Sequence, residues 1–354
     1  MRIVVAMSGG VDSSVAAARL VEAGHEVIGL SMQLYDQREG NAAAFGRCCS
    51  LDDLHDARRV AAALGIPHYV LNLERPFQET VVANFAREYA AGRTPIPCSH
   101  CNSELKFATL VNRAAGFDAG TVATGHYARI RVDEGGRRHL HRGLDADKDQ
   151  SYFLFALTQE QLSRAAFPVG DWTKAEVRAY ARARSLPVAD KPDSQEICFV
   201  PDGDYARVVE SKLGAAPPGG AITDTSGRVL GRHDGIHRFT VGQRKGLRLS
   251  STEPLYVLAI QPETATLVVG SRSDLERMDC EVRQVNWIAG TPPDGSITAA
   301  VQIRHRHPPG AATITPIGHD RVRVVFDAPQ IAVTPGQAAV FYDGDEVLGG
   351  GWID

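Results

Sequence analysis

Apolar positions in the first 130 residues follow two alternating periods. "RIVVAM" (2 to 7) is a short β-branched run that reads as a strand; a glycine turn follows, and Val11, Val15, Ala18 and Val21 then recur at helical spacing as far as Gly24. The alternation continues through "HEVIGLSM" (25 to 32), "LDDLHDARRVAAALG" (51 to 65), "HYVLNL" (68 to 73), a helical stretch from Phe77 to Ala91, and "GTVATGHYARI" (120 to 130). Strands that alternate with helices predict an α/β fold on a parallel sheet, with ligands at the carboxyl ends of the strands.

The pattern changes beyond about residue 205. "LGAAPPGGAITDTSG" is a Pro/Gly-rich junction, and the runs that follow are short and β-like: "LYVLAI", "TLVVG", "VQIRHR", "RVRVVF" and "AAVFY", separated by turn residues. The expected organisation is an α/β domain over 1–205, a small intermediate β-rich domain over 206–275 and a barrel-like β domain over 276–354. No internal repeat or long low-complexity tract is visible.

Composition narrows the class. The 354 residues exceed what one core usually supports, which agrees with several domains. No apolar run reaches the ~20 residues of a membrane span and the N-terminus has no signal pattern, so the expected location is cytoplasmic. A net charge of -4 argues against broad adhesion to nucleic acid, so any RNA contact must be local. Six cysteines without a secretion signal point to reduced, metal-binding or reactive thiols rather than a disulfide framework.

The turn after the first strand carries the first chemistry. In "SGGVDSS" backbone N–H groups and a helix N-terminus can face an anion, and hydroxyls add further donors. The lysine of the G-x-x-x-x-G-K-[ST] phosphate loop is missing, and G-x-G-x-x-G fails as well. Asp12 would repel phosphate unless Mg²⁺ lay between them, so pyrophosphate with Mg²⁺ satisfies both demands. The plainer alternative is a glycine turn in which Asp12 or Ser13 caps the helix.

The second chemistry lies in the thiols. Cys98 and Cys101 stand two residues apart in "PCSHCNSELKF", and Cys198 lies in "KPDSQEICF". A second C-x-x-C is absent, which disfavours a four-cysteine zinc site.

"SGGVDSS" after a first strand resembles the pyrophosphate loop of the N-type ATP pyrophosphatases. Together with "CNSELKF", "ATGHYAR", "GLDADKDQSYFL", "FPVGDW", "DSQEICF", "TVGQRKGL", "VTPGQAAVFY" and "LGGGWI", in that order from about residue 3 to 352, it resembles the tRNA-specific 2-thiouridylases. The resemblance implies a Rossmann-like catalytic domain followed by two β-rich domains that grip the anticodon arm of tRNA. It implies that ATP adenylates the C2 carbonyl oxygen of the wobble uridine, pyrophosphate leaves into the loop, and sulfur then replaces the oxygen.

Residue by residue, the resemblance implies ATP contacts at Ala6, Met7, Ser8, Gly9, Gly10, Val11, Asp12, Ser13, Met32 and Gly125, with catalysis by Cys101, Cys198 and Asp12. It implies tRNA contacts at Lys148, Asp149, Gln150, Arg304, His305 and Gln337, and His126, beside Gly125, could reach the activated base. Cys198 would receive a persulfide from a sulfur donor such as a cysteine desulfurase or relay protein, and Cys101 would help release the sulfur. Many family members have aspartate where this chain has Cys98, so that aspartate's role does not transfer. Cys98, Cys101 and Cys198 could instead ligate a [4Fe-4S] cluster. Two rival readings remain: another adenylating enzyme of the superfamily, disfavoured by the thiols, and a non-catalytic RNA-binding protein, disfavoured by Asp12 and Cys198.

Overall fold

The computed structural model describes residues 1–34, 51–193, 197–200 and 202–354; Cys48 and Cys49 lie outside them. The first sheet contains β1 (Arg2–Ala6), β2 (Glu26–Gln33), β3 (His68–Asn72), β4 (Thr121–Ala123) and, after a hairpin described below, the short β7 (Ala165–Ala166), in the order β3-β2-β1-β4-β7. All four pairings are parallel. Side chains alternate across a strand, so Val4, Ile28, Leu30 and Met32 enter one apolar cluster while Ile3, Val5, Met7 and Val27 enter another. Burial on both faces is why these strands read as continuous apolar runs. Helices α1 (Val11–Glu22) and α2 (Leu51–Leu64) fall where the helical spacing places them.

Strand order reverses beside β1, whose neighbours are β2 and β4. A crevice opens at the carboxyl ends of strands at such a switch point. The loops after β1 and β4 meet there.

The run expected over 120–130 is divided. β4 ends at Ala123, and β5 (Ala128–Val132) pairs with β6 (Arg138–Arg142) as a hairpin of another sheet. The break contains Gly125, where a Cβ would lie 2.5 Å from the Ser13 backbone nitrogen. Close backbone approach stops the strand here.

The middle unit is a sheet of β8 (Gly220–Thr223), β9 (Val229–His233), β10 (Tyr256–Gln261) and β11 (Thr266–Gly270), in the order β10-β11-β8-β9. Ile222, Ile236, Phe239, Leu247, Val257, Leu267 and Val269 form its core.

The last unit is a closed antiparallel barrel. Its strands are β12 (Glu276–Trp287), β13 (Ile297–Gln302), β14 (Gly310–Pro316), β15 (Val322–Ile331), β16 (Ala338–Asp343) and β17 (Glu346–Ile353), ordered β12-β15-β14-β13-β16-β17 and closed by β12 on β17. β13 ends at Gln302, so "VQIRHR" is strand only in its first half, and Arg306 turns back at φ 64°.

The hairpin β5–β6 joins this sheet through Glu346 opposite His141 and Val347 opposite Leu140. Phe107, Leu140, Tyr152 and Phe155 share one core with Val340, Tyr342 and Trp352. The barrel is thus packed onto the first domain by main-chain pairing and by apolar burial. Among the described residues no helix is long and apolar enough to cross a membrane.

Candidate active site at the glycine loop

The loop leaves β1 at Ala6. Met7 still donates to the Leu30 carbonyl at 2.8 Å, and its side chain is buried. Gly9 has φ 77° and a Cβ there would fall 2.1 Å from the Asp53 carbonyl oxygen, so only glycine fits. Gly10 is the N-cap of α1, and among the described residues no side chain caps this helix. The capping alternative is therefore not what the structure adopts. Val11 and Ser13 are buried. The Ser13 hydroxyl accepts from the Ser8 backbone N–H at 3.2 Å and donates to the Gly10 carbonyl at 3.2 Å, which pins the loop's curvature. Ser14 donates to the same carbonyl at 2.8 Å.

Asp12 was expected to face a metal; in this conformation both its oxygens are engaged. Lys174 Nζ lies 2.7 Å from one and 2.8 Å from the other, and the Tyr127 hydroxyl donates to the first at 2.7 Å. Burial, then the Asp12 charge, raises the Tyr127 pKa, so the phenol stays protonated. Lys174 was not singled out from the sequence. The signal was available in "TKAE": Thr173 and Glu176 form a reciprocal capping box, which makes Lys174 the first residue of helix Lys174–Ala183. What that lysine touches could not be read from spacing.

Lys174 also holds Asp193 at 2.8 Å, with Lys148 at 2.7 Å and Arg178 at 3.0 Å on the same carboxylate. Burial would raise the pKa of Asp193, but hydrogen bonds from Lys148 and Lys174, then their charges, bring it down to about 2. Lys191, two residues earlier, donates to the Gly9 carbonyl at 3.1 Å and pairs with Asp53 and Asp56.

Two of the thiols share one apolar cluster on a face of the sheet. Cys101 is buried in the cluster of Val4, Ile28, Leu30 and Met32, and half-buried Cys198 packs against that cluster. Helix Pro97–His100 begins with proline, which suits a first turn. It passes into a π-helical stretch, Cys101–Phe107, and then into Ala108–Ala115. π-Helical turns gather at functional sites. Cys98 is exposed. Among the described residues no group of three His, Cys, Asp or Glu side chains could hold a metal ion. Cys101 is buried and Cys198 half-buried, so the [4Fe-4S] reading stays a proposal beside the persulfide one, and no step below passes through a cluster.

The His126 ring nitrogen Nδ1 and Thr124 Oγ1 are hydrogen-bonded at 2.8 Å, and the ring forms a triangle with those of Phe107 and Phe167. Desolvation, then the Lys106 charge, pushes its pKa down to about 3. It is a neutral imidazole, not a cation.

Several expected contacts are committed inward. Met32 is 6% exposed and packs in the cluster that contains Cys101. Asp149 accepts from Arg142, Gly143 and Ser151, and Gln150 accepts from the Tyr127 N–H, so both shape the turn on which Lys148 stands. Gln337 donates to the Thr94 carbonyl at 2.9 Å and links the barrel to the first domain. Arg304 and His305 lie exposed just past β13, and His305 packs on Phe153 at 4.6 Å.

Residues 1–202 match the family model described as tRNA methyl transferase HUP domain. Residues 207–271 match the tRNA methyl transferase PRC-barrel domain and 277–353 the aminomethyltransferase beta-barrel domain. The tRNA-specific 2-thiouridylase MnmA of Geotalea uraniireducens is 53% identical over 356 residues, covering 100% of this chain and 95% of that protein. That of Solibacter usitatus is 54% identical over 366 residues, covering 99% of each. The chain belongs to the tRNA-specific 2-thiouridylase family.

Proposed function

We propose that this chain is an ATP-dependent tRNA sulfurtransferase that replaces the C2 oxygen of the wobble uridine with sulfur. The domain models are described by methyl transfer, but the buried and half-buried thiols beside a phosphate-type loop suit sulfur chemistry, as the relatives' name does. One observation carries the reading. Cys101 and Cys198 pack on the cluster formed by β1 and β2, while Asp193, five residues before Cys198, is joined through Lys174 to Asp12 on the loop.

The C2 oxygen attacks the α-phosphorus of ATP, and pyrophosphate leaves toward the N–H groups of Gly9 to Ser13 and the uncapped start of α1. Asp12 offers the oxygen ligands that Mg²⁺ takes, and the ion would neutralise charge between that carboxylate and phosphate. A persulfide on Cys198 attacks C2 and AMP departs with the oxygen. The Cys101 thiolate then attacks the Cys198 sulfur; the S–S bond to the transferred atom breaks, its electron pair forms the thiocarbonyl, and a Cys101–Cys198 disulfide remains. An external thiol reduces that disulfide, and a sulfur donor such as a cysteine desulfurase or relay protein reloads Cys198. A neutral His126 beside Gly125 suits contact with an uncharged base, which must be flipped out of the anticodon stack to react.

Lys148, Arg304 and His305 are the proposed tRNA contacts, with Asp149, Gln150 and Gln337 supporting the surface that presents them. We assign catalysis to about 1–205, an intermediate module to 206–275 and anticodon-arm binding to 276–354, in the cytoplasm where the tRNA is.

The test is a pair of assays on the full chain with tRNA: ATP/pyrophosphate exchange and mass spectrometry of the wobble nucleoside. Exchange with 2-thiouridine formation is expected. Exchange with another modified nucleoside would favour a different adenylating enzyme, and no exchange would favour a non-catalytic RNA binder.

A further inference from the structure

The two segments proposed to meet tRNA come from different parts of the chain: the turn that carries Lys148 belongs to the first domain, and the exposed Arg304 and His305 to the barrel. One guanidinium stands between them. Arg142 ends β6, and Gln302 ends β13. Arg142 donates through one terminal nitrogen to Asp149 Oδ2 at 2.8 Å and through the other to Gln302 Oε1 at 3.2 Å. Gln302 in turn donates to the Arg304 carbonyl at 3.2 Å. An unbroken run of hydrogen bonds thus joins the residue after Lys148 to Arg304.

Each link in this run is itself held. Arg142 Cζ lies 3.6 Å from the centroid of the Tyr342 ring, and a planar guanidinium stacked on an aromatic face has its fork of donors oriented. The Asp149 carboxylate also accepts from the Gly143 and Ser151 N–H groups, and its side chain is 8% exposed. Gln302 is buried. The Ser151 hydroxyl donates to Asp149 at 3.0 Å and is hydrogen-bonded to the Tyr342 hydroxyl at 3.2 Å. Just beyond Ser151, the rings of Tyr152 and Phe153 pack on His305, with centroids 6.0 Å and 4.6 Å away. Polar links on one side and ring contacts on the other join the two segments.

We propose that Arg142 is a positioning residue for tRNA: it fixes the spacing of Lys148 and Arg304 so that both engage one RNA backbone at once. The inference rests on the reading of those two residues as tRNA contacts. Phosphate contacts set the register of a protein on a nucleic acid, and phosphates recur along the strand, so two cations gain from standing at a fixed separation. Segments that were unlinked would lose their freedom on binding, whereas linked ones have lost it already on folding. A lysine at position 142 could keep the pair with Asp149, but it lacks the planar fork that reaches Gln302 at the same time.

The test is a double-mutant cycle read by titration of the full chain with unmodified tRNA. Lys148→Ala, Arg304→Ala and the double variant are each made with Arg142 intact and with Arg142→Gln. Arg304→Ala keeps the carbonyl that Gln302 holds, so the run itself survives in that variant. With Arg142 intact, the double variant is expected to lose about 3- to 10-fold less affinity than the product of the two single losses, the scale of ordering one or two long side chains. In Arg142→Gln the two losses are expected to multiply, and Arg142→Lys is expected to behave as Arg142→Gln although it keeps the charge. An arginine that merely stabilised the fold, or touched RNA itself, would lower affinity and leave the coupling in place. Losses that multiply with Arg142 intact, coupling that survives in Arg142→Gln, or full coupling in Arg142→Lys each overturns the inference. Should Arg142→Gln not fold, Gln302→Leu breaks the same run one link further on and decides by the same cycle. If neither Lys148→Ala nor Arg304→Ala weakens binding, the contact assignment fails and this inference with it; if both weaken binding and their losses multiply, this inference alone fails. The sulfurtransferase reading is judged separately, by 2-thiouridine formation in the wild type.

Discussion

His100 and Trp352 stack face to face, their ring centroids 4.3 Å apart and their planes 6° from parallel. Trp352 lies in the last strand of the barrel, and His100 immediately precedes Cys101. The stack ties the start of the π-helical turn to a barrel whose first strand begins at Glu276. His100→Ala should cost about 0.5–1.5 kcal/mol in unfolding stability, the worth of an aromatic pair beyond burial. It should slow 2-thiouridine formation more than ATP/pyrophosphate exchange, because it displaces Cys101 and not the loop. His100→Phe should recover both. Equal losses in the two assays would refute the link.

Gly125 should tolerate no side chain. A Cβ there would meet Ser13 N at 2.5 Å and the Asp12 carbonyl carbon at 2.7 Å, and neither is a flexible group. Gly125→Ala should cost about 1–3 kcal/mol as overpacking against backbone and should raise the KM for ATP. Thermal unfolding and initial-rate kinetics read the two effects.

Asp12 and Cys198 should separate the half-reactions. Asp12→Asn should reduce exchange by ~100-fold or more, the scale seen when one positioned electrostatic group is lost, with tRNA affinity nearly unchanged. Cys198→Ala should leave exchange intact and abolish 2-thiouridine. Retained thiolation in Cys198→Ala would remove the nucleophile assignment.

His126 should stay neutral throughout physiological pH. Its pKa is pushed from 6.5 to about 3, chiefly by desolvation. The unfolded chain therefore binds this proton first as pH falls. The stabilisation from burying the neutral ring is complete above 6.5 and is lost progressively as pH drops toward 3. In NMR spectra the His126 ring protons should not shift between about pH 5 and 8, where an unperturbed histidine titrates. A midpoint in that window would refute the desolvated, neutral imidazole.

Much of the fold was legible because it is local. The apolar runs of β1 and β2 and the helical spacing of α1 and α2 follow from side-chain periodicity, and the element bounds agree to within a residue or two. The glycine loop was legible for the same reason, since Gly9 requires a conformation only glycine adopts freely. The split of the 120–130 run was not, because its cause is the backbone of Ser13, far away in sequence. Gln337 looked available to a base, yet its partner is the Thr94 carbonyl across a domain boundary. Asp149 and Gln150 similarly spend their side chains on neighbouring backbone.

The sequence by itself determined the strand-loop-helix start, the succession of one α/β unit and two β units, and the presence of thiols in two separate stretches. Tertiary structure alone decided that Cys101 and Cys198 share an apolar cluster, that the β5–β6 hairpin extends the barrel sheet, and that Lys174 holds Asp12. The physical reason is range. Backbone preference and side-chain periodicity act over a few residues and leave their mark in order along the chain, whereas ion pairs and packing act across a few ångströms of space and are indifferent to how far apart in sequence their partners lie.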